Sequence, residues 1–143
     1  MNTSIRHIGL VVNDIEISKN FWEQVMGFVP YIILNESGEK IDRMIGLKNV
    51  SLKTIKMRDE NGMILELLKF YSHSDKKLWI GTPYSTGLTH IALNVVDIDD
   101  VINKIKHFGI KFDGEIVITD DSSAKVTYAK GPEGLLIELV EKI

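Results

Sequence analysis

The chain repeats itself, and the repeat limits its fold more than any other feature. His7-Ile8-Gly9-Leu10-Val11-Val12-Asn13-Asp14-Ile15 overlays His90-Ile91-Ala92-Leu93-Asn94-Val95-Val96-Asp97-Ile98. Further on, Asn61-Gly62-Met63-Ile64-Leu65-Glu66-Leu67-Leu68 overlays Glu133-Gly134-Leu135-Leu136-Ile137-Glu138-Leu139-Val140. Self-similarity of this kind means that one supersecondary unit is present twice.

The local pattern says what that unit is. Residues 5–12 form a β-rich apolar run and predict a buried strand. Asn13-Asp14 offers an N-cap for a helix over 15–26, and Gly27 is placed to end it in a left-handed conformation. A strand follows over 28–34, where Pro30 suggests an edge or a bulge. Residues 35–40 read as a polar loop, and 41–47 is ambiguous, compatible with one helical turn. Strands at 50–57 and 63–70 flank the hairpin signal Asp59-Glu60-Asn61-Gly62. The second half repeats the plan, with a strand over 88–96 and a helix capped by Asp97 or Asp99. That helix runs to His107 or Phe108 and stops at Gly109. Strands follow near 110–118, 125–129 and 135–141, with Gly131-Pro132-Glu133-Gly134 as the last turn. The expected fold is therefore α+β, two tandem βαβββ modules. Residues 1–70 and 88–143 are the modules, and 71–87 is the linker within one domain of residues 1–143. Neither half alone buries its sheet, so the halves pack together or exchange partners in a dimer.

Composition removes several function classes. At 143 residues, 44% apolar and 26% charged, the chain has the make-up of a globular domain with a sizeable core. A net charge of −3 leaves no dense basic surface for nucleic acid. The apolar runs fall far below the roughly 20 residues of a membrane helix. The amino terminus lacks the basic-then-apolar order of a secretory signal. With no cysteine there are no disulfides, thiolate nucleophiles, iron–sulfur clusters or cysteine-type zinc sites. A cytoplasmic protein is expected, and any metal must be held by His, Asp or Glu.

Four polar residues interrupt the apolar strands. His7 and His90 lie in the first strand of each module, and Glu66 and Glu138 sit inside the last. A lone carboxylate among apolar residues costs several kcal/mol unless it is paired or coordinated. A single such histidine is ordinarily a hydrogen-bonded core residue, and a single such glutamate can face a solvated groove. Their recurrence at matching places points further. Pseudo-twofold packing would gather two neutral imidazoles and two carboxylates, a good donor set for a divalent metal. The other candidates are weaker. His73 lies in the linker, His107 suits a helix C-terminus, Phe21 and Trp22 fit core packing, and Trp79 is a candidate pocket lid. There is no Walker sequence, dinucleotide fingerprint or Gly-x-Ser-x-Gly elbow.

These motifs, together with Phe21-Trp22 before Met26-Gly27-Phe28 and Gly87-Leu88-Thr89-His90, resemble the vicinal oxygen chelate superfamily over essentially the whole chain. That superfamily includes glyoxalase I, methylmalonyl-CoA epimerase, extradiol dioxygenases, fosfomycin-resistance enzymes and bleomycin-binding proteins. The resemblance implies a cupped mixed sheet around one divalent metal: nickel, cobalt, manganese or zinc. His7, Glu66, His90 and Glu138 match the metal-ligand set of bacterial-type glyoxalase I. The implied activity is a glyoxalase-like lyase, isomerase or epimerase. It would move a proton through an enediolate or enolate, with Glu138 as primary base and Glu66 as its counterpart. The alternatives are an Fe(II) extradiol-type dioxygenase and a metal-free small-molecule (antibiotic) binding protein. The partner is a small-molecule substrate, and a homodimer is implied. Glyoxalase I has an arginine and an asparagine for glutathione where this chain has Val11 and Phe70, so glutathione is not the expected substrate.

Overall fold

A computed structural model describes residues 3–73 and 82–143. The chain divides into two compact units between Lys77 and Leu78. Trp79 lies outside the described residues.

The first unit contains β1 (Ile8–Val11), α1 (Ile15–Gln24), β2 (Val29–Ser37), α2 (Glu39–Ile45), β3 (Ser51–Arg58) and β4 (Ile64–Phe70). Its four strands lie in the order β1-β4-β3-β2. β1 runs parallel to β4, and β3 pairs antiparallel with β2 and β4. Asp14 caps α1, accepting from the amides of Glu16 and Ile17 at 3.1 and 3.0 Å. Ile15, Ser18 and Trp22 recur at helical spacing and are buried together with Phe21. Trp22 meets Phe21 and Phe28 edge-to-face at 5.9 and 5.1 Å. These rings belong to the core, which Ile55, Met57, Leu65 and Leu67 complete from β3 and β4.

The opposite face of β4 carries Ile64, Glu66, Leu68 and Phe70, because successive side chains alternate across a strand. α2 covers one end of it, where Ile41, Val50 and Leu52 pack with Leu68 and Phe70. α2 is seven residues long, more than the single turn expected over 41–47. Its Asp42 carboxylate accepts from the amides of Asn49 and Val50 at 2.8 Å each, which ties the helix to the start of β3. β2 also runs further than its sequence suggests. Asn35, Glu36 and Ser37 pair with Lys53, Leu52 and Ser51, so the waiting edge of β3 overrides their polarity. The bulge expected at Pro30 lies between Pro30 and Ile32.

The second unit contains β5 (Ile91–Val95), α3 (Ile98–His107), β6 (Val117–Ile118), β7 (Ala124–Lys130) and β8 (Leu136–Lys142). The strand order is β5-β8-β7-β6, again with a parallel first pair, β5 to β8. Ile98, Ile102 and Ile105 form the buried stripe of α3. β6 is far shorter than the strand expected over 110–118. The Thr127 hydroxyl donates to the Glu115 carbonyl at 2.8 Å. A Cβ at Gly114 would stand 2.8 Å from the Tyr128 carbonyl oxygen. The segment before β6 thus approaches β7 closely without a ladder, through a position only glycine fits. The final turn is a short 3-10 turn over Pro132–Gly134.

Glu141 on β8 fastens α3 to its sheet. It accepts from the Ile98 amide at 2.8 Å, at the start of the helix, and from Lys125 Nζ at 2.9 Å. The Ile98 amide first, and then Lys125, hold its carboxyl below the usual range. The stabilisation is therefore present above the usual carboxylate value and is lost as pH falls through the lower folded value. Lys125 is raised by the Glu141 hydrogen bond, so its part is present below the usual lysine value and is lost as pH rises through the raised one. Glu141→Gln is expected to lower the urea midpoint at pH 7. The variant and wild type should converge near pH 2. A gap that stayed constant from pH 7 to pH 2 would show that the carboxylate charge does not matter.

Candidate metal centre

Each unit brings its own histidine and glutamate together. His7 sits immediately before β1, two residues from Gly9, which is the register partner of Glu66. His90 sits immediately before β5, two residues from Ala92, the register partner of Glu138. The strand period of two thus places each imidazole on the face of its glutamate. His7 Nε2 is 3.2 Å from Glu66 Oε2, and His90 Nε2 is 3.1 Å from Glu138 Oε2. The carboxylates are half-buried, with Glu66 14% exposed and Glu138 22%. They are sheltered enough to interact strongly and open enough to meet a small molecule.

These distances suit a shared cation. Two donors bound to one octahedral ion at about 2.1 Å each stand about 3 Å apart. Nitrogen and carboxylate oxygen are also the donor types that nickel, cobalt and zinc accept. The second pair is braced further: Thr89 Oγ1 lies 2.9 Å from His90 Nδ1, on the side of the ring away from Nε2. Outer contacts of this kind fix ring orientation at metal sites. The residues present therefore fit a divalent ion as one imidazole and one carboxylate per module. Among the described residues, no three or more His, Asp or Glu side chains gather as a single group.

The strands next to β4 and β8 add two residues that composition and motif did not single out. Lys56 on β3 lies directly across from Glu66, and its Nζ is 3.3 Å from Glu66 Oε1. Tyr128 on β7 lies directly across from Glu138, and its hydroxyl donates to Glu138 Oε2 at 3.3 Å. The Tyr128 ring also stands edge-on to His90 at 5.3 Å. Burial first, and then the Glu138 carboxylate, push the Tyr128 phenol above its usual value, so it remains a neutral donor. A signal for both was available. Counting back from a five-residue connection, 59–63 in the first module and 131–135 in the second, pairs residue 56 with 66 and 128 with 138.

The remaining histidines take ordinary roles. His107 Nδ1 donates to the Asn103 carbonyl at 2.7 Å within α3. His73 is exposed, 2.9 Å from Ser72 Oγ. Among the described residues, no helix is long and apolar enough to cross a membrane.

A duplicated βαβββ chain with a histidine and a glutamate in matching strands of each half has the architecture of the vicinal oxygen chelate proteins. The chain belongs to the Glyoxalase/Bleomycin resistance protein/Dioxygenase superfamily, whose family model matches residues 4–139. It is 27% identical over 142 residues to "Uncharacterized protein YwbC" of Bacillus subtilis (strain 168), covering 99% of this chain and 100% of that one. The crystal structure of a glyoxalase family protein from Bacillus cereus superposes with a TM-score of 0.90 at 25% identity, over 99% of this chain and 97% of that chain. The fold is shared more distantly with a genomically encoded fosfomycin resistance protein, FosX, from Listeria monocytogenes. That likeness has a TM-score of 0.66 at 17% identity, over 100% of this chain and 96% of that one.

Proposed function

We propose that the protein is a divalent-metal-dependent lyase, isomerase or epimerase that moves a proton next to a carbonyl group. The observation that carries this reading is the pair of imidazole–carboxylate contacts, 3.2 and 3.1 Å, at equivalent places in the two modules. His7, Glu66, His90 and Glu138 would hold one ion, nickel, cobalt, manganese or zinc. A bound ion supplies Lewis-acid stabilisation of the negative charge that develops on a carbonyl oxygen.

The proton transfer falls to the carboxylates. Both contacts of Glu138, to His90 and to Tyr128, meet Oε2. Among the described residues its Oε1 meets no donor, which favours Glu138 as the group that removes and returns the proton. Glu66 is the second carboxylate, held through Oε1 by Lys56. Glutathione is disfavoured as part of the substrate: Phe70 is packed against Leu52 and Ile41, and Val11 offers no charge. The reading includes a homodimer. With two His–Glu pairs per chain, the ion count is one per chain whether the pairs come from one copy or two.

Elemental analysis of untagged, chelator-free protein tests the reading. About one nickel, cobalt, manganese or zinc per chain supports it, and a chain that refuses all added metal sinks it. With turnover found among 2-oxoaldehyde adducts or acyl-CoA epimers, Glu138→Gln should lower kcat by about 100- to 10,000-fold, the usual share of general acid–base catalysis. Full turnover in both Glu138→Gln and Glu66→Gln would remove the carboxylates from the chemistry.

One observation favours a second reading. Lys56 already occupies Glu66, and His7, His90 and Glu138 alone form the two-histidine, one-carboxylate set of Fe(II) oxygenases. Iron in the elemental analysis, with oxygen uptake on turnover, would establish it.

A further inference from the structure

Lys56 breaks the symmetry of the two modules. The first carboxylate has an ammonium at Oε1, 3.3 Å away, and an imidazole at Oε2. Among the described residues, the second has only neutral hydrogen-bonding company beyond its imidazole, the hydroxyl of Tyr128. Lys56 and Tyr128 occupy equivalent places, each the direct register partner of its glutamate. The Lys56 side chain is 23% exposed, so its charge is not an ordinary solvated surface charge.

Resting on the metal reading above, we propose that Lys56 is a built-in competitor of the divalent ion for Glu66, making the first His–Glu pair the weaker half of the centre. The physical reason is that an ion beside Glu66 must share the carboxylate with a like charge a few ångströms away. In a partly buried place that repulsion is screened far less than in bulk water. Without an ion, the same ammonium neutralises a half-buried carboxylate that, among the described residues, would otherwise face only a histidine. Lys56 therefore stabilises the metal-free fold and weakens metal binding. Tyr128 brings no charge and has neither effect on the second pair. Lys56 is a positioning residue, acting through Glu66.

The test is a Co²⁺ titration of full-length, metal-free protein by calorimetry and visible absorption, with thermal melts alongside. Lys56→Met should bind Co²⁺ about tenfold or more tightly than wild type, a like-charge repulsion of a size ordinary for partly buried sites. Its metal-free melting temperature should fall, and the rise on adding Co²⁺ should exceed that of wild type. Lys56→Arg keeps the charge and should stay near wild type. Lys53→Met is the control for net charge, because Lys53 points to the other face of β3 and pairs with Glu16 at 2.8 Å. It should leave Co²⁺ affinity unchanged. If the Met variant does not fold, Lys56→Gln carries the same expectation. Equal or weaker binding by the Lys56 variants, with wild type binding Co²⁺ normally, overturns this proposal and leaves the metal reading standing. Absence of Co²⁺ binding in wild type and variants alike overturns the metal reading and this proposal together.

Discussion

Replacing His7 or His90 with alanine is expected to weaken Ni²⁺ or Co²⁺ binding by more than about 100-fold while leaving the urea midpoint of the metal-free protein little changed. Loss of an outer-shell partner alone typically costs about 10- to 100-fold in metal affinity, so loss of a ligand must cost more. Each imidazole places Nε2 within 3.2 Å of a carboxylate oxygen, so its removal takes away half of a donor pair. The fold should survive because both rings are about a third exposed and lie just outside the strand ladders. Removing the Thr89 hydroxyl (Thr89→Val) should cost less, as it braces His90 without supplying a donor. Isothermal titration of the three variants checks the order. Unchanged metal uptake in both histidine variants would make the two pairs ordinary ion pairs of the fold.

Trp22→Ala should destabilise the protein by about 3–5 kcal/mol, the usual cost of deleting a large buried aromatic. Trp22 is 1% exposed, and its indole is wedged between Phe21 and Phe28. Truncation leaves a cavity that Phe21 and Phe28, fixed on α1 and just before β2, cannot close. Since small domains are stable by about 5–15 kcal/mol, that loss takes a large share of the total. Val96→Ala is the contrasting case: Val96 is 96% exposed, and its change should stay within about 0.5 kcal/mol. Urea unfolding of both variants measures the difference. A loss below about 1 kcal/mol at Trp22 would place the core elsewhere.

Much of this architecture is written in local chemistry. Asp14 caps α1 as its side chain predicts, and Gly27 and Gly109 end α1 and α3 at positive φ. The placing of His7 with Glu66, and of His90 with Glu138, follows from strand periodicity once the first and last strands of each module pair. The errors fall where a neighbour outweighed local preference. Residues 35–37 became strand because β3 offered them a ladder. Residues 110–116 stayed irregular because Gly114 and Thr127 hold them against β7 in another way.

The sequence by itself determined the duplicated βαβββ plan and the assignment of a histidine and a glutamate to matching strands, because caps, apolar periods and repeats act over a few residues. Only the tertiary structure decided what stands beside each of those side chains. Side chains on neighbouring strands meet through the pairing register, a non-local property. That register set an ammonium against Glu66 and a phenol against Glu138, and so made two nearly identical His–Glu pairs chemically unequal.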